Sequence, residues 1–102
     1  MSSLLQEDYN AINYNVNYYT KLEIDLPKGN LGVELEKGKF FTVVEIYEKS
    51  KVKDILKKGD EIFSLNDIIL EDKTVDEVEL LFYKNILLPR KIVIFRKFIN
   101  YM

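Results

Sequence analysis

The stretch KGNLGVEL, residues 28–35, places two glycines within a pattern that is typical of a β-strand. Leu31, Val33 and Leu35 alternate with other residues, so their side chains share one face of an extended chain. Gly32 interrupts this pattern. A glycine inside a strand weakens the strand, because glycine loses more backbone entropy on folding than other residues and has no side chain to pack. Glycine at such a position commonly indicates that another backbone or a ligand approaches closely.

The composition is that of one globular domain. The chain has 102 residues, of which 47% are hydrophobic and 31% are charged, enough for a single core without metal or disulfide. The formal net charge of −2 comes from Glu7 and Asp8, and the balanced remainder predicts no nucleic-acid partner. No apolar run approaches the roughly 20 residues of a membrane span, and no secretory signal is recognisable. We therefore expect a cytoplasmic protein.

Two residue types that carry much of enzyme chemistry are missing. The sequence contains no cysteine and no histidine, which excludes disulfides, thiolate zinc sites and histidine-dependent nucleophiles within this chain. The carboxylates of Glu77 and Glu79 are two residues apart on a predicted helix, so they do not face each other. We therefore expect neither an enzyme nor a bound metal or cofactor.

The pattern of the chain changes near residue 19. Residues 1–19 mix asparagine and tyrosine with little apolar periodicity, which favours a flexible lead-in or linker. The alternative is an extra strand or a docking segment, because the tyrosines of this segment can pack. Residues 20–97 form the predicted domain, and residues 98–102 form a C-terminal tail.

Alternating apolar residues and β-branched or aromatic runs predict the strands of this domain. In chain order the predicted strands are KLEIDL (21–26), LGVEL (31–35), FFTVVEIY (40–47), EIFSL (61–65), IIL (68–70) and RKIVIFRK (90–97). Gly38, between two lysines, predicts a hairpin turn, and the pair Asn66-Asp67 accepts left-handed turn geometry.

Two helices are expected between these strands. SKVKDILKK, residues 50–58, suits one or two helical turns, and Gly59 occupies a position that glycine favours after a helix. TVDEVELLFYKN, residues 74–85, has helical apolar spacing and begins with a capping box formed by Thr74 and Glu77. The predicted fold class is therefore α+β, a small partly open β-barrel or sandwich of five to six strands capped by one short and one longer helix.

This order of elements, with a glycine-bearing loop before the second strand, resembles the PDZ domain family. NLGV, residues 30–33, matches a relaxed x-Φ-G-Φ form of the family's carboxylate-binding loop. LKKGDEI (56–62) and LND (65–67) match a second block, with Asp67 in place of a glycine. The late helix before an aliphatic final strand is a third similarity. The match covers roughly residues 20–97 and follows the strand order of eukaryotic PDZ domains.

The resemblance implies a scaffold-type interaction module that binds the C-terminal peptide of a partner by strand addition between the second strand and the long helix. The backbone amides of Leu31, Gly32 and Val33 would hold the ligand's carboxylate, and a side chain at position 32 would crowd it. The terminal side chain would enter an apolar pocket of Leu31, Val33, Leu35 and Phe82. The same four residues can also fill core, since pocket and core are continuous in this fold.

Three further roles are implied by the resemblance. The first helix position in the family meets ligand position −2, and alignment puts Val75 there, which implies an apolar residue at −2 as well as at position 0. Glu79 lies one turn further on and is either a solvated surface residue or a partner for a basic ligand side chain. Lys28, close to the loop, is a candidate helper for the carboxylate.

Two expectations concern assembly and context. The apolar side chain of Met102 suits a neighbouring molecule's pocket, but Asn100 would be a poor fit at position −2. We therefore expect a monomer with at most weak head-to-tail contacts through its own C-terminus. An alternative function remains open, in which the domain is a regulatory, substrate-sensing PDZ unit of a larger protease or other multidomain enzyme.

Overall fold

A computed structural model of the chain describes residues 15–101, and the side chains of residues 19–97. Its strands are β1 (Asn15–Leu26), β2 (Val33–Lys37), β3 (Phe41–Ile46), β4 (Glu61–Leu65), β5 (Ile68–Ile69) and β6 (Arg90–Tyr101), and its helix is α1 (Val75–Lys84). The helix lies between β5 and β6 in the chain. This arrangement of six strands and one long helix confirms the predicted α+β class.

The six strands form one antiparallel sheet in the order β1-β6-β4-β3-β2, with β5 beside β4. Among these strands, β1 and β2 therefore lie at the two ends of the sheet. Alternate residues of the strands point into one core because successive side chains of a strand face opposite ways. The buried hydrophobic side chains are Leu26, Leu31, Phe41, Val43, Val52, Leu56, Ile62, Leu65, Leu70, Val78, Ile92 and Ile94.

Helix α1 begins with the capping box that the sequence predicts. The Thr74 hydroxyl accepts a hydrogen bond from the N–H of Glu77 (3.1 Å), and the Glu77 carboxylate accepts one from the N–H of Thr74 (2.8 Å). The bond to the Thr74 N–H lowers the pKa of Glu77. Val78 is buried, and Leu81 and Phe82 pack against the core. This face also contacts β2, so the helix runs beside an edge of the sheet.

Strands β1 and β6 are longer than the sequence patterns predict. They pair from Leu26 opposite Arg90 as far as Asn15 opposite Tyr101. The predicted boundary after residue 19 therefore falls inside β1, and residues 98–101 of the predicted tail belong to β6. Each strand satisfies the backbone groups of the other, and their Val, Tyr, Thr and Ile residues suit extended structure. The remaining part of the predicted lead-in, residues 1–14, lies outside the described residues.

The predicted short helix over residues 50–58 is reduced to hydrogen-bonded turns. The carbonyl of Val52 accepts from the N–H of Ile55 (2.9 Å) and from the N–H of Leu56 (2.9 Å), which is a single helical turn. That turn already buries Val52 and Leu56, while the three residues between them (53–55) stay exposed. A longer helix would fix more backbone without burying further apolar surface.

A buried ion pair ties β6 to the chain around Gly59. Asp60, which is 1% exposed, accepts from Arg96 Nε (2.9 Å), from Arg96 Nη2 (2.8 Å) and from the N–H of Lys57 (2.8 Å). Arg96 Nη2 also donates to the carbonyl of Ile55 (2.9 Å). The hydrogen bonds from Arg96 to this carboxylate raise the pKa of the arginine. The carboxylate of Asp60 therefore stabilises the fold, and Arg96 of the same chain balances its charge.

Candidate functional site

A pocket of about 550 Å³ opens between β2, α1 and the segment before β2, which we call the glycine loop (residues 27–32). Its apolar walls come from Leu31, Val33, Leu35, Ile62, Phe82 and Ile86. Its polar lining comes from Asn30, Glu79, Tyr83 and Arg90. The pocket thus joins an apolar trough beside the helix to a loop rich in exposed backbone.

The glycine loop needs glycine at position 32 for two structural reasons. The φ angle of Gly32 is +70°, in the left-handed region that other residues seldom adopt. A Cβ atom there would lie 3.2 Å from the Cα and 3.2 Å from the Cβ of Ser50. The Ser50 hydroxyl donates to the carbonyl of Leu31 and accepts from the N–H of Val52 (3.0 Å). The close neighbour of Gly32 is therefore a backbone of the same chain, so this glycine has a reason that involves no ligand.

The backbone N–H groups where the glycine loop meets β2 point away from Ser50 and β3. The Leu31 carbonyl is bound by the Ser50 hydroxyl, and the Gly32 carbonyl accepts from the N–H of Tyr47 (2.9 Å). A planar trans peptide directs its C=O and N–H oppositely, so the N–H groups of Gly32 and Val33 face away from Ser50 and β3. Among the hydrogen bonds of the described residues, none uses the N–H of Leu31 or Gly32. The N–H of Gly32 meets both conditions and is available to an acceptor in the pocket, and the unpaired N–H of Leu31 directly precedes it.

The guanidinium of Arg90 lies beneath the glycine loop, and the residue as a whole is 3% exposed. Its Nη2 donates to the carbonyls of Pro27 (2.5 Å) and Gly29 (2.8 Å), and its Nη1 donates to the carbonyl of Phe82 (3.4 Å). The N–H of Gly29 donates in turn to the carbonyl of Ile86 (2.7 Å). The loop is thereby fixed to the end of the helix by hydrogen bonds that all involve backbone carbonyls.

Within the described part of the chain, Arg90 has neutral partners but no anion. The ion pairs of the described residues do not include it, and its buried Nε has no hydrogen-bond partner. Burial lowers the pKa of Arg90, because removal from water disfavours the charged form. The pocket therefore contains a desolvated positive charge at its loop end.

The structure brings together the predicted loop and pocket residues. Leu31, Gly32, Val33, Leu35 and Phe82 all line the pocket. Leu31 is buried and Val33, Leu35 and Phe82 are half-buried against the core. Pocket and core are therefore continuous.

The other predicted residues are placed differently. Glu79 is exposed and lines the pocket, whereas Val75 is half-buried against the core, one turn earlier on the helix, and is not among the lining residues. Lys28 is exposed and also lies outside the lining; its carbonyl accepts from Lys51 Nζ (2.9 Å). The structure does not bring the Lys28 side chain to the pocket.

Outside the glycine loop, sequence reasoning missed four lining residues. Tyr83 and Ile86 follow Glu79 and Phe82 by four positions, so helical spacing could have extended the predicted face to them. Ile62 was identified only as part of a strand. Arg90 shares the alternation of the buried Ile92 and Ile94, which is the one signal that its side chain points inward.

Among the side chains of residues 19–97, no three metal-ligating groups gather where they could hold an ion. The helix of this part of the chain is not long and apolar enough to cross a membrane. The chemistry that the pocket offers is therefore hydrogen bonding, a buried cation and an apolar surface.

Several solved structures share this architecture. The fifth PDZ domain of InaD has a TM-score of 0.64 and 22% identity over 74% of this chain and 94% of that chain. INAD PDZ45 in complex with NG2 peptide gives a TM-score of 0.64 and 21% identity over 76% of this chain and 42% of that chain. The complex of INAD PDZ45 and NORPA CC-PBM gives 0.61 and 18%, over 78% and 42%. These similarities show that the chain has the PDZ fold, which confirms the resemblance found in the sequence.

The similarity to known proteins was found by comparing structures and not by comparing sequences. No protein-family model matches the sequence, and no curated protein matches it. The chain spans about 42% of the length of the INAD PDZ45 chains.

Proposed function

We propose that the chain is a protein-interaction module whose groove takes the C-terminal peptide of a partner protein. The observation that carries this proposal is the pair of N–H groups on Leu31 and Gly32, which border an apolar pocket without an acceptor of their own. A terminal carboxylate needs such donors, since successive backbone N–H groups in a left-handed turn form an anion-binding nest. The peptide complexes among the structural neighbours support the same proposal.

The peptide joins the sheet as an additional strand beside β2. This strand is an end strand of the described sheet, and α1 lies along it. An extended peptide laid between them satisfies the backbone groups along the β2 edge, and its alternate side chains face the helix and the solvent. Backbone pairing gives affinity in this mode, and the pockets for alternate side chains give selectivity.

The ligand's last side chain is apolar. It enters the part of the pocket closest to the glycine loop, where the walls are Leu31, Val33, Leu35 and Phe82 with Ile62 and Ile86. A polar side chain there would lose its hydration without gaining a partner. Backbone amides of Leu31, Gly32 and Val33 hold the carboxylate next to this side chain.

The helix selects the residue at position −2. Val75 begins α1 and has no hydrogen-bonding group, so an apolar residue is favoured there. Glu79 is exposed at the pocket one turn further along, where it attracts a basic ligand side chain. This attraction is a rim interaction that salt screens, so its contribution to affinity is small.

A peptide library with free C-termini tests this function. Peptides randomised at their final positions are displayed with a free carboxylate, and a matched library carries a C-terminal amide. We expect selected acids to bind with dissociation constants of about a micromolar, which corresponds to about −8 kcal/mol. Each corresponding amide should bind at least about tenfold more weakly, because it cannot receive charge-assisted bonds. Equal binding of acid and amide would show that the loop does not read a chain terminus.

A further inference from the structure

The two arginines of the chain lie six positions apart on β6 and both point inward. Arg96 meets its carboxylate, Asp60, inside the fold. Arg90 is almost wholly buried and meets only carbonyl oxygens. A buried charge is strongly unfavourable unless it is paired with an opposite charge and hydrogen-bonded. The hydrogen bonds of Arg90 are thus largely made within the chain, while the residues that the structure describes supply no counter-charge.

We propose that the missing counter-charge is the carboxylate of the bound peptide, so that Arg90 is the ligand's cationic partner. This inference rests on the proposed function and identifies the source of positive charge in its site. Arg90 lines the same pocket as Gly29, Leu31 and Gly32, whose loop presents the free N–H groups. The carboxylate therefore enters a region that already carries a desolvated positive charge.

Arg90 also orients the loop that receives the carboxylate. Its Nη2 holds the carbonyls of Pro27 and Gly29, which fixes the backbone that directly precedes the N–H groups of Leu31 and Gly32. An acceptor approaching from the pocket meets those oxygens less readily, since both are turned toward the guanidinium. A neutral side chain could replace these hydrogen bonds in part, but it could not replace the charge.

The chemistry of the site favours a chain terminus over an internal acidic side chain. An apolar C-terminal residue carries its carboxylate and its hydrophobic side chain on one carbon atom. The pocket offers the matching pair, a cation with free amides at the loop and apolar walls immediately beside them. If an internal aspartate or glutamate supplied the carboxylate, the polar backbone of the peptide would enter the apolar part of the pocket instead of a hydrophobic side chain.

Burial distinguishes Arg90 from the lysine that sequence reasoning selected. Lys28 is exposed, and salt and water screen an exposed charge strongly. A buried charge is screened much less, so the contribution of Arg90 should persist at physiological salt. A cation within about 4–6 Å favours the charged form of a carboxylate by one to three pKa units, or about ten- to a thousandfold.

Three single variants and one matched pair of probes test the inference. The probes are a short acetylated peptide with valine at positions 0 and −2, with a free carboxylate or as the C-terminal amide. Both are titrated into the wild-type chain, Arg90→Gln, Arg90→Lys and Lys28→Gln at about 0.15 M salt. The measured quantity is the ratio of acid affinity to amide affinity, and circular dichroism verifies that each variant is folded.

We expect Arg90→Gln to lower the acid-to-amide ratio at least about tenfold, because it removes the charge and keeps a hydrogen-bond donor. Its amide affinity should fall less than its acid affinity, because the two peptides share only the loss of the hydrogen bonds to the loop. Arg90→Lys should keep most of the ratio, and Lys28→Gln should change it less than about twofold, since an exposed charge is screened. A purely structural role of Arg90 would weaken the acid and the amide equally.

The outcomes that contradict the inference are distinct from those that contradict the proposed function. An unchanged acid-to-amide ratio in Arg90→Gln, with the wild-type chain still preferring the acid, overturns the role of Arg90 and leaves the function intact. An equal loss of acid and amide binding also overturns it. Failure of both probes to bind the wild-type chain, together with an empty library selection, overturns the function and the inference with it.

Discussion

Arg96 and Arg90 lie on the same strand, β6, but their side chains have different electrostatic environments. Arg96 donates twice to the buried carboxylate of Asp60, and that contact raises the pKa of Arg96. Arg90 donates only to carbonyls, and burial lowers its pKa. The region around Arg96 is complete within the chain, whereas the region around Arg90 is completed by an anion from outside. The difference separates a charge that supports the fold from one that is available for binding.

The glycines beside these two regions differ in a parallel way. Gly59 precedes Asp60 and Gly32 belongs to the loop above Arg90, and both have positive φ angles, +93° and +70°. A Cβ at position 59 would meet nothing within 4 Å, whereas one at position 32 would press on Ser50 at 3.2 Å. The turn at Gly59 therefore needs only a left-handed residue, and the loop at Gly32 also needs the missing side chain.

The largest expected effect is a loss of stability at Arg96, measured against the same substitution at Arg90. Arg96→Gln leaves the carboxylate of Asp60 buried without its cation, and we expect the free energy of unfolding to fall by about 3 kcal/mol. Arg90→Gln leaves no charge unpaired, and the glutamine amide can replace part of the bonding to the loop carbonyls, so its loss should be smaller, about 1–2 kcal/mol. Urea denaturation measures both values.

A double variant provides the control for this comparison. Asp60→Asn combined with Arg96→Gln removes both charges, so it should be more stable than Arg96→Gln alone. Equal losses for Arg90→Gln and Arg96→Gln would mean that the two settings are energetically alike, which contradicts the distinction between them.

A smaller effect is expected from alanine at the two glycines. Gly59→Ala should lower the free energy of unfolding by about 1–2 kcal/mol, the usual penalty for left-handed backbone. Gly32→Ala should lower it further, because the new Cβ meets the backbone of Ser50. It should also weaken peptide binding, while Gly59→Ala should leave affinity unchanged. A Gly32→Ala variant with wild-type stability and affinity would contradict the structure of the loop.

The smallest effect concerns the end of the groove away from Arg90. Val75→His introduces a hydrogen-bond donor at the start of α1, so selection at position −2 should shift toward serine or threonine by a few-fold, about 1 kcal/mol. The acid-to-amide ratio should not change, because the carboxylate is bound elsewhere. Glu79→Gln is the matched control and should leave the preference at −2 as it is. An identical −2 profile for Val75→His would show that Val75 does not meet that residue.

Local patterns in the sequence were sufficient for much of the fold and of the pocket. The capping box of Thr74 and Glu77 and the left-handed pair Asn66-Asp67 are formed as predicted, since neighbouring residues decide both. The loop and pocket residues were found because alternation along β2 and helical spacing along α1 each define a face. The reason for Gly32 was not predictable, because it depends on Ser50, which is 18 positions away.

Features that depend on distant pairing were missed. Tyr19 lies in β1 because β6 continues far enough to pair with it, opposite Lys97, and no local pattern reports the length of a partner. Lys28 was chosen because it is close to the loop in sequence, whereas Arg90 reaches Pro27 and Gly29 from 63 and 61 positions away. Proximity along the chain was therefore a poor guide to the charge beneath the loop.

The most direct test follows the side-chain N–H signals of the two arginines by nuclear magnetic resonance. The chain contains only Arg90 and Arg96, so two Nε–H resonances are expected, and the Arg90→Gln variant assigns them. Saturation with the free-acid valine peptide should shift the Arg90 signal and the amides of Leu31, Gly32 and Val33, while the Arg96 signal stays in place. The peptide amide should produce a much smaller shift at Arg90. A bound acid that leaves the Arg90 signal unmoved, or moves both arginine signals alike, would contradict the account.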